Sequence, residues 1–124
     1  MLIIIMKIVR DLKYRVTKES DTEPPFSGKY NKFYKNGTYQ CSNCNINLFS
    51  SDTKFDSGTG WPSFFDIISK ENIGTIEDTS YGMVRTEVKC KKCESHLGHV
   101  FNDGPAPTGL RYCINSVALN FKDN

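Results

Sequence analysis

The chain has 124 residues, a length that predicts one domain. Its residues are 38% hydrophobic and 12% aromatic, which excludes disorder over most of the chain. The net charge of +2 is too small to indicate nucleic-acid binding. The longest apolar run, residues 2–6, is far shorter than the ~20 residues of a membrane span, and it is also too short for a signal peptide. We therefore expect a cytoplasmic protein with no membrane partner.

The N-terminal third of the chain predicts little regular structure. A short helix is predicted near residues 8–14. The segment 18–36 is interrupted by two consecutive prolines, by Gly28 and by the turn signal Asn36-Gly37, so it keeps no regular period. We expect this segment to wrap over the domain as a long arm.

After Gly37 the chain carries strand signals. Strands are predicted at Thr38–Cys41, Ile46–Phe49, Met83–Cys90 and Leu110–Phe121, with the last one the longest. The segment Phe64–Ile68 fits either a strand or a short helical turn. No stretch keeps an apolar 3.6-residue period for three turns, so the predicted fold class is mostly β and antiparallel.

Four of the five cysteines form two pairs with identical spacing, Cys41/Cys44 and Cys90/Cys93. Two such turns can complete a tetrahedral sulfur site, the usual arrangement of structural zinc. The alternatives are two redox-active pairs or inert buried thiols. A redox pair of the thioredoxin kind would open a helix, whereas these pairs lie among strand signals. We therefore predict one closed zinc site that pins two hairpin ends together, and Cys113 is left unpaired.

The surroundings of Cys113 distinguish it from an ordinary core cysteine. Because side chains alternate along a strand, Arg111, Cys113 and Asn115 share one face. A guanidinium beside the thiol would favour the thiolate, which is the nucleophilic form. Further along the same predicted strand, the positions of the same parity are apolar: Val117, Leu119 and Phe121. This change leaves two alternatives for the strand. Either the strand passes from a site into the core, or a bulge reverses its faces.

Both histidines of the chain, His96 and His99, fall within the six residues 96–101. They fit metal ligands, acid/base groups or structural histidines. Because four cysteines can hold the metal, we predict that a histidine close to Cys113 delivers a proton to an oxygen atom as sulfur is attacked.

The only tryptophan, Trp61, follows a glycine-containing loop over residues 56–60. Its indole is either a buried anchor for that loop or part of an aromatic wall. With Phe64 close behind it in the sequence, such a wall would bind a small apolar group, for example an S-methyl group, by sulfur–aromatic contact.

Four segments closely resemble peptide-methionine (R)-S-oxide reductase, the B-type methionine sulfoxide reductase family. They are Lys54–Phe64, Met83–Val88, His96–Phe101 and Gly109–Ser116, and they occur in the family's order. The stretch Thr22-Glu23-Pro24 with Phe26 is similar to the family's N-terminal arm. The resemblance covers residues 14–121, so residues 1–13 are a variable segment of a single reductase domain spanning 1–124.

The resemblance implies two antiparallel sheets that form a small zinc-stapled barrel or sandwich of tent-like shape. One Zn²⁺ would lie on the two cysteine pairs, away from the active site. Cys113 matches the catalytic cysteine, and three further positions match groups that bind and polarise the sulfoxide: His96, His99 and Asn115. Trp61 matches the residue that receives the methyl group, and Arg111 lies in a matching substrate motif.

The implied reaction serves protein repair under oxidative stress. The Cys113 thiolate attacks the sulfoxide sulfur, a histidine protonates the leaving oxygen, and the cysteine becomes a sulfenic acid. A thioredoxin-like protein or a small thiol then reduces it, and the enzyme is expected to be a monomer. Many relatives carry a second cysteine in the loop before the tryptophan, where this chain has Thr59, so the usual intramolecular recycling is not expected.

Two other functions fit parts of the sequence. A non-enzymatic zinc module would need the two cysteine pairs but not Cys113, the histidines and Trp61 together. A nucleic-acid-binding zinc ribbon is suggested by Lys89, Lys91 and Lys92. These lysines are more simply interpreted as a solvated turn beside a four-thiolate site, so no nucleic-acid partner is expected.

Overall fold

The computed structural model describes residues 12–124 as a mainly β protein. Residues 12–19 are helical (α1). Nine strands follow: β1 (Gly37–Cys41), β2 (Asn47–Ser50), β3 (Lys54–Phe55), β4 (Ser63–Phe64), β5 (Ile73–Asp78), β6 (Arg85–Cys90), β7 (His96–Phe101), β8 (Arg111–Ile114) and β9 (Leu119–Asp123). Short 3₁₀ turns lie at Ser51–Thr53, Ser80–Gly82 and Ser116–Ala118. Within residues 12–124, no helix has the length and apolar character needed to cross a membrane.

The strands form two sheets in which every pair is antiparallel. The three-stranded sheet has the order β2-β1-β9, and the six-stranded sheet has the order β3-β4-β8-β7-β6-β5. The prediction of a mostly β fold with two antiparallel sheets is confirmed. Each described sheet keeps two open edges, so the architecture is a sandwich and not the closed barrel named as an alternative.

Aromatic rings from both sheets form the centre of the core. Tyr39 of β1, Phe49 of β2 and Phe64 of β4 are all fully buried. The rings of Phe49 and Phe64 stack with centroids 4.4 Å apart, and Tyr39 meets Phe64 edge-on at 5.1 Å. Large aromatic side chains bury much apolar surface in these geometries, and this contact holds the three-stranded sheet against the six-stranded one.

The predicted long strand over residues 110–121 is broken in the structure. It divides into β8 and β9, which belong to different sheets, and the 3₁₀ turn Ser116–Ala118 joins them. The turn is closed by a hydrogen bond from the Leu119 N–H to the Ser116 carbonyl. Because the chain must cross between sheets here, side-chain parity does not carry over from Asn115 to Leu119. Neither alternative, one strand that passes from a site into the core or a bulge that reverses its faces, describes this break.

The other predicted strands shift by one or two residues. The prediction from Met83 begins too early, because β6 starts at Arg85 and Val84 is 75% exposed. Of the segment Phe64–Ile68, only its first residue lies in a strand, and the rest is irregular.

The N-terminal arm lies across the sandwich, as its sequence predicts. After α1 the chain is irregular to residue 36. The Phe26 N–H donates to the Gly60 carbonyl at 2.8 Å, and Tyr30 packs edge-on against Tyr39 at 5.5 Å. The helix predicted near 8–14 overlaps α1 only in part, and residues 8–11 lie outside the described part of the chain.

Candidate active site and metal centre

The two cysteine pairs occupy equivalent turns in different sheets. Cys41 ends β1 and Cys44 lies before β2, in the three-stranded sheet. Cys90 ends β6 and Cys93 lies before β7, in the six-stranded sheet. An ion bound by all four sulfurs would therefore join the two sheets, and this matches the prediction that a metal pins two hairpin ends.

The backbone of the two turns is nearly identical. The Asn45 N–H donates to the Cys41 carbonyl at 2.8 Å, and the Glu94 N–H donates to the Cys90 carbonyl at 2.8 Å. Asn45 and Glu94 both adopt positive φ, 61° and 62°. Non-glycine residues adopt this conformation rarely. Its repetition in both turns gives the two cysteines of each pair the same relative placement.

The spacing of the four sulfurs fits zinc. All four Sγ atoms lie within 4.8 Å of one another. Sγ of Cys41 is 3.6 Å from Sγ of Cys93, and Sγ of Cys44 is 3.5 Å from Sγ of Cys90. A tetrahedron with Zn–S bonds of about 2.3 Å has edges of about 3.8 Å. Four soft thiolates without a further ligand are the donor set of a closed, structural zinc site.

Cys113 lies apart from this cluster, on β8, where it is half-buried at a surface cavity. The cavity has a volume of about 250 Å³. Four of the other residues predicted to be catalytic or substrate-binding line it together with Cys113: Trp61, His99, Arg111 and Asn115. The alternation along β8 predicted the shared side of Arg111, Cys113 and Asn115. Only the fold brings Trp61 and His99 to the same cavity.

The Cys113 thiol is less acidic than the sequence suggests. Burial raises its pKa above the ordinary thiol value, and this outweighs the Arg111 charge and the Thr59 hydroxyl, which both lower it. A further rise comes from the charge of Glu23. The expectation that Arg111 favours the thiolate is correct in direction, but burial decides the net shift. Cys113 therefore needs a nearby base in order to react.

His99 is the base best placed for this role. β7 pairs with β8, and His99 is directly opposite Cys113 in the register. The Nε2 atom of His99 is 2.8 Å from Oδ2 of Asp78, and the Ser80 N–H also donates to the Asp78 carboxylate at 3.0 Å. The hydrogen bond with His99 holds the pKa of Asp78 far below its usual range. The ionised Asp78 thus orients the ring.

His96 lies behind His99 and is 2% exposed. The two rings meet edge-on at 5.4 Å. Nδ1 of His96 is 2.6 Å from Oε2 of Glu87, and Nε2 has no partner among the described residues. Burial lowers the pKa of His96 although Glu87 raises it. His96 is not among the residues that line the Cys113 cavity, and its ring contacts that of His99.

Asn115 and Trp61 are both fixed by the N-terminal arm. Oδ1 of Asn115 accepts from the Glu23 N–H at 2.9 Å, and its Nδ2 donates to the Leu97 carbonyl at 3.0 Å. The Trp61 indole N–H donates to the Glu23 carbonyl at 3.0 Å. One N–H of the Asn115 amide is left for a ligand, and the indole ring of Trp61 forms one side of the cavity.

The two remaining predicted residues differ in placement. Arg111 lines the cavity, where its guanidinium pairs with Asp103 at 2.9 and 3.2 Å and lies 4.4 Å from the Phe101 ring centroid. Phe64 does not line the cavity. Its ring is fully buried between Tyr39 and Phe49, so the prediction that Phe64 contacts a substrate is corrected: it belongs to the core.

The sequence patterns did not indicate the two carboxylates that contact the histidines, Asp78 and Glu87. Glu87 lies within the strand predicted at Met83–Cys90, which is the only sequence signal for either of them. Asp78 ends β5, and β6 lies between β5 and the strand of His99. Their meeting depends on the strand order, which a single sequence does not display.

Comparison with known proteins agrees with this geometry. Residues 9–123 match the SelR domain. A protein of Methanosarcina barkeri named "Peptide methionine sulfoxide reductase MsrB" is 60% identical over 118 residues, which is 94% of this chain and 82% of that protein. Proteins of the same name from Synechococcus sp. and Pseudomonas fluorescens are 58% and 61% identical, over 90% and 87% of this chain and 82% of each relative. The chain belongs to the SelR domain family, to which the B-type methionine sulfoxide reductases also belong.

Proposed function

We propose that this protein reduces the (R)-sulfoxide of methionine residues in proteins and peptides to methionine, with electrons from a thiol. One observation carries the proposal: the single cysteine outside the metal cluster opens onto a cavity with His99, Trp61 and Asn115. The relatives named above carry the name of this activity. Among the described residues the reaction has one nucleophile of the required kind, Cys113.

The first step is ionisation of Cys113. Because burial raises the pKa of the thiol, a base must take its proton as the substrate enters. His99 lies opposite Cys113 across the β7–β8 pair, and the Asp78 carboxylate stabilises the imidazolium that forms. His99 then carries the proton, within the same cavity, until it is transferred to the substrate.

The second step moves the oxygen atom. The Cys113 thiolate attacks the sulfoxide sulfur, and the imidazolium of His99 gives its proton to the sulfoxide oxygen. The attack forms a transient bond between the sulfur of Cys113 and the sulfur of the substrate. This bond and the sulfur–oxygen bond of the substrate then both break as the hydroxyl group passes to the sulfur of Cys113, and methionine leaves. The methionine sulfur is reduced by two electrons, and the cysteine is oxidised by two electrons to a sulfenic acid.

The walls of the cavity bind the substrate. The Trp61 ring offers an apolar face to the S-methyl group, and sulfur–aromatic contacts of this type contribute about 0.3–1.5 kcal/mol. The free N–H of Asn115 can donate to the sulfoxide oxygen. Arg111, held by Asp103, keeps a positive charge at the rim while the thiolate is present.

The metal centre has a different role in this proposal. Cys41, Cys44, Cys90 and Cys93 would hold one zinc ion, which supplies stability to the fold and takes no part in the steps above.

Recovery of the enzyme needs an external thiol. Two thiols reduce the sulfenic acid to Cys113, with one disulfide and one water formed. Thr59 stands close enough to the thiol for its hydroxyl to lower the pKa of Cys113, and it cannot form a disulfide. We propose that the reductant is a thioredoxin-like protein or a small thiol. The proposed enzyme is one domain over residues 1–124, and it functions as a monomer in the cytoplasm.

An assay on resolved substrates tests the proposal. With dithiothreitol, the protein should reduce the R epimer of peptide methionine sulfoxide and leave the S epimer unchanged. Cys113→Ser should retain its fold and lose turnover, and His99→Ala should slow the reaction by about 10²–10⁴, the usual effect of losing an acid/base group. Lys70→Ala, at an exposed position, serves as the control. Full activity in Cys113→Ser would refute the proposed function.

A further inference from the structure

Glu23 is a buried carboxylate that the reaction above does not use. It lies in the N-terminal arm, and only 1% of its surface is exposed. Acidic side chains with so little exposure are unusual in proteins unless they are paired or hydrogen-bonded. Burial raises the pKa of Glu23 above the ordinary carboxyl value. Because removing a carboxylate from water costs free energy, we expect the contacts of Glu23 to stabilise the fold or the site.

The main chain of Glu23 contacts two walls of the cavity. Its N–H donates to Oδ1 of Asn115 at 2.9 Å, and its carbonyl accepts from the Trp61 indole at 3.0 Å. The preceding residue, Thr22, lines the cavity itself. The dipeptide Thr22-Glu23 therefore bridges two side chains from separate connections: Trp61 precedes β4, and Asn115 follows β8.

The carboxylate of Glu23 anchors this bridge. Its Oε1 atom accepts from the Val117 N–H at 3.0 Å, within the 3₁₀ turn that follows Asn115. The arm also closes over the carboxylate at Gly28, where a Cβ atom would lie 2.4 Å from Oε2 of Glu23 and 2.2 Å from Oγ of Ser116. A side chain at residue 28 would have no room, so the arm fits closely around the anchored group.

We infer that Glu23 is a positioning residue for the Cys113 cavity: its carboxylate ties the arm to the turn at Val117, and its main chain thereby holds Trp61 and Asn115 at the thiol. This inference takes the Cys113 cavity as the reaction site, as proposed above. In this inference Glu23 acts through the hydrogen bond to Val117, which requires the full length of its side chain, and not through its negative charge.

Two conservative variants distinguish the effect of side-chain length at residue 23 from the effect of its negative charge. Glu23→Gln keeps a carbonyl oxygen at the same distance from the Val117 N–H and removes the charge. Glu23→Asp keeps the charge but withdraws the carboxylate by about 1.5 Å, one carbon–carbon bond. Glu71, which is exposed, provides the matched controls Glu71→Gln and Glu71→Asp.

Two measurements report on the cavity. The first is kcat and KM with a peptide that contains methionine (R)-sulfoxide. The second is the fluorescence emission of Trp61, which is the only tryptophan in the chain and reports its surroundings without any turnover. Zinc content and the urea unfolding midpoint show whether each variant retains the fold.

Glu23→Gln should stay within about twofold of the wild type in KM and keep the Trp61 emission. Glu23→Asp should raise KM about tenfold and shift the Trp61 emission to longer wavelength, since small misplacements at a site are costly. Wild-type behaviour of Glu23→Asp in both measurements would overturn the inference, and so would equal impairment of Glu23→Gln. If the wild-type protein fails to reduce sulfoxides, the proposed function falls, and the Trp61 emission alone then decides the role of Glu23.

Discussion

The reactivity of Cys113 follows from a balance among a few neighbouring groups. Burial raises the pKa of its thiol, while Arg111 and Thr59 lower it. The arrangement favours the protonated thiol, and we propose as its base His99, which lies opposite Cys113 in the strand register and contacts Asp78. The Thr59 hydroxyl contacts the thiol, and because threonine cannot form a disulfide, we expect the oxidised form of Cys113 to find no second cysteine there.

One turnover without reductant should therefore leave a sulfenic acid on Cys113. Dimedone should trap one equivalent of it, because the other four cysteines are clustered for metal binding. In Thr59→Cys a disulfide with Cys113 should form and dimedone trapping should disappear. Thr75→Cys, exposed on β5 at the far edge of the sheet, should still be trapped. Peptide mapping by mass spectrometry measures all three.

A different mapping result would contradict this expectation. A stoichiometric disulfide between Cys113 and one of the four clustered cysteines, with zinc released, would mean that the protein recycles through its metal site.

At the scale of elements, the site depends on close contact between β7 and β8. These strands carry His99 and Cys113, and Gly98 of β7 is paired with Ile114 of β8. A Cβ atom at Gly98 would lie 2.0 Å from the Cys113 carbonyl oxygen. That oxygen belongs to the backbone and cannot move aside without moving β8. The absence of a side chain at residue 98 therefore allows the close separation of the two strands that hold the proposed reacting groups.

Gly98→Ala should consequently separate the strands and reduce both stability and turnover. Overpacking of this kind costs about 1–3 kcal/mol in the free energy of unfolding, and the displaced thiol should lower kcat. The matched control is Gly74→Ala on β5, where the nearest atom to a new Cβ would be Lys91 Cγ at 3.9 Å. Urea unfolding and steady-state kinetics on both variants measure the effect. Equal behaviour of the two variants would show that β7 and β8 tolerate the extra methyl group.

At the scale of the whole molecule, two features of residues 12–124 relate the sheets to each other. One is the aromatic contact of Phe64 with Tyr39 and Phe49. The other is the cluster of four cysteines, to which each sheet supplies one pair, so that a bound metal ion would connect the sheets. Small domains bury a limited fraction of their surface, so a metal contributes a large share of their stability.

Cys44→Ser should therefore lose zinc and unfold or aggregate. Structural zinc contributes ~10–16 kcal/mol of apparent binding free energy, which equals or exceeds the ~5–15 kcal/mol stability of a typical domain. Elemental analysis and circular dichroism measure metal content and folding. Cys113→Ser is the control, and it should keep one zinc per chain and the wild-type spectrum. A metal-free Cys44→Ser protein with wild-type stability would show that the cluster is not a structural metal site.

Some features of this protein are local, and the sequence alone was sufficient to predict them. The spacing of the two cysteine pairs indicated a metal centre, because two residues between cysteines suffice to form a turn. The alternation along β8 placed Arg111 and Cys113 on one side. Motif order indicated the family, and the SelR match confirms it.

The tertiary structure decided what depends on distant segments. The break after β8 arises because the chain must cross between two sheets, which no local period displays. Phe64 lies in the core because its ring packs against Tyr39 and Phe49 of the other sheet. Asp78 reached His99, and Glu23 reached Asn115 over 92 positions of sequence, because these contacts depend on strand order and on the path of the arm. Single-sequence patterns reveal which side chains share a face, and the packing of sheets decides which faces meet.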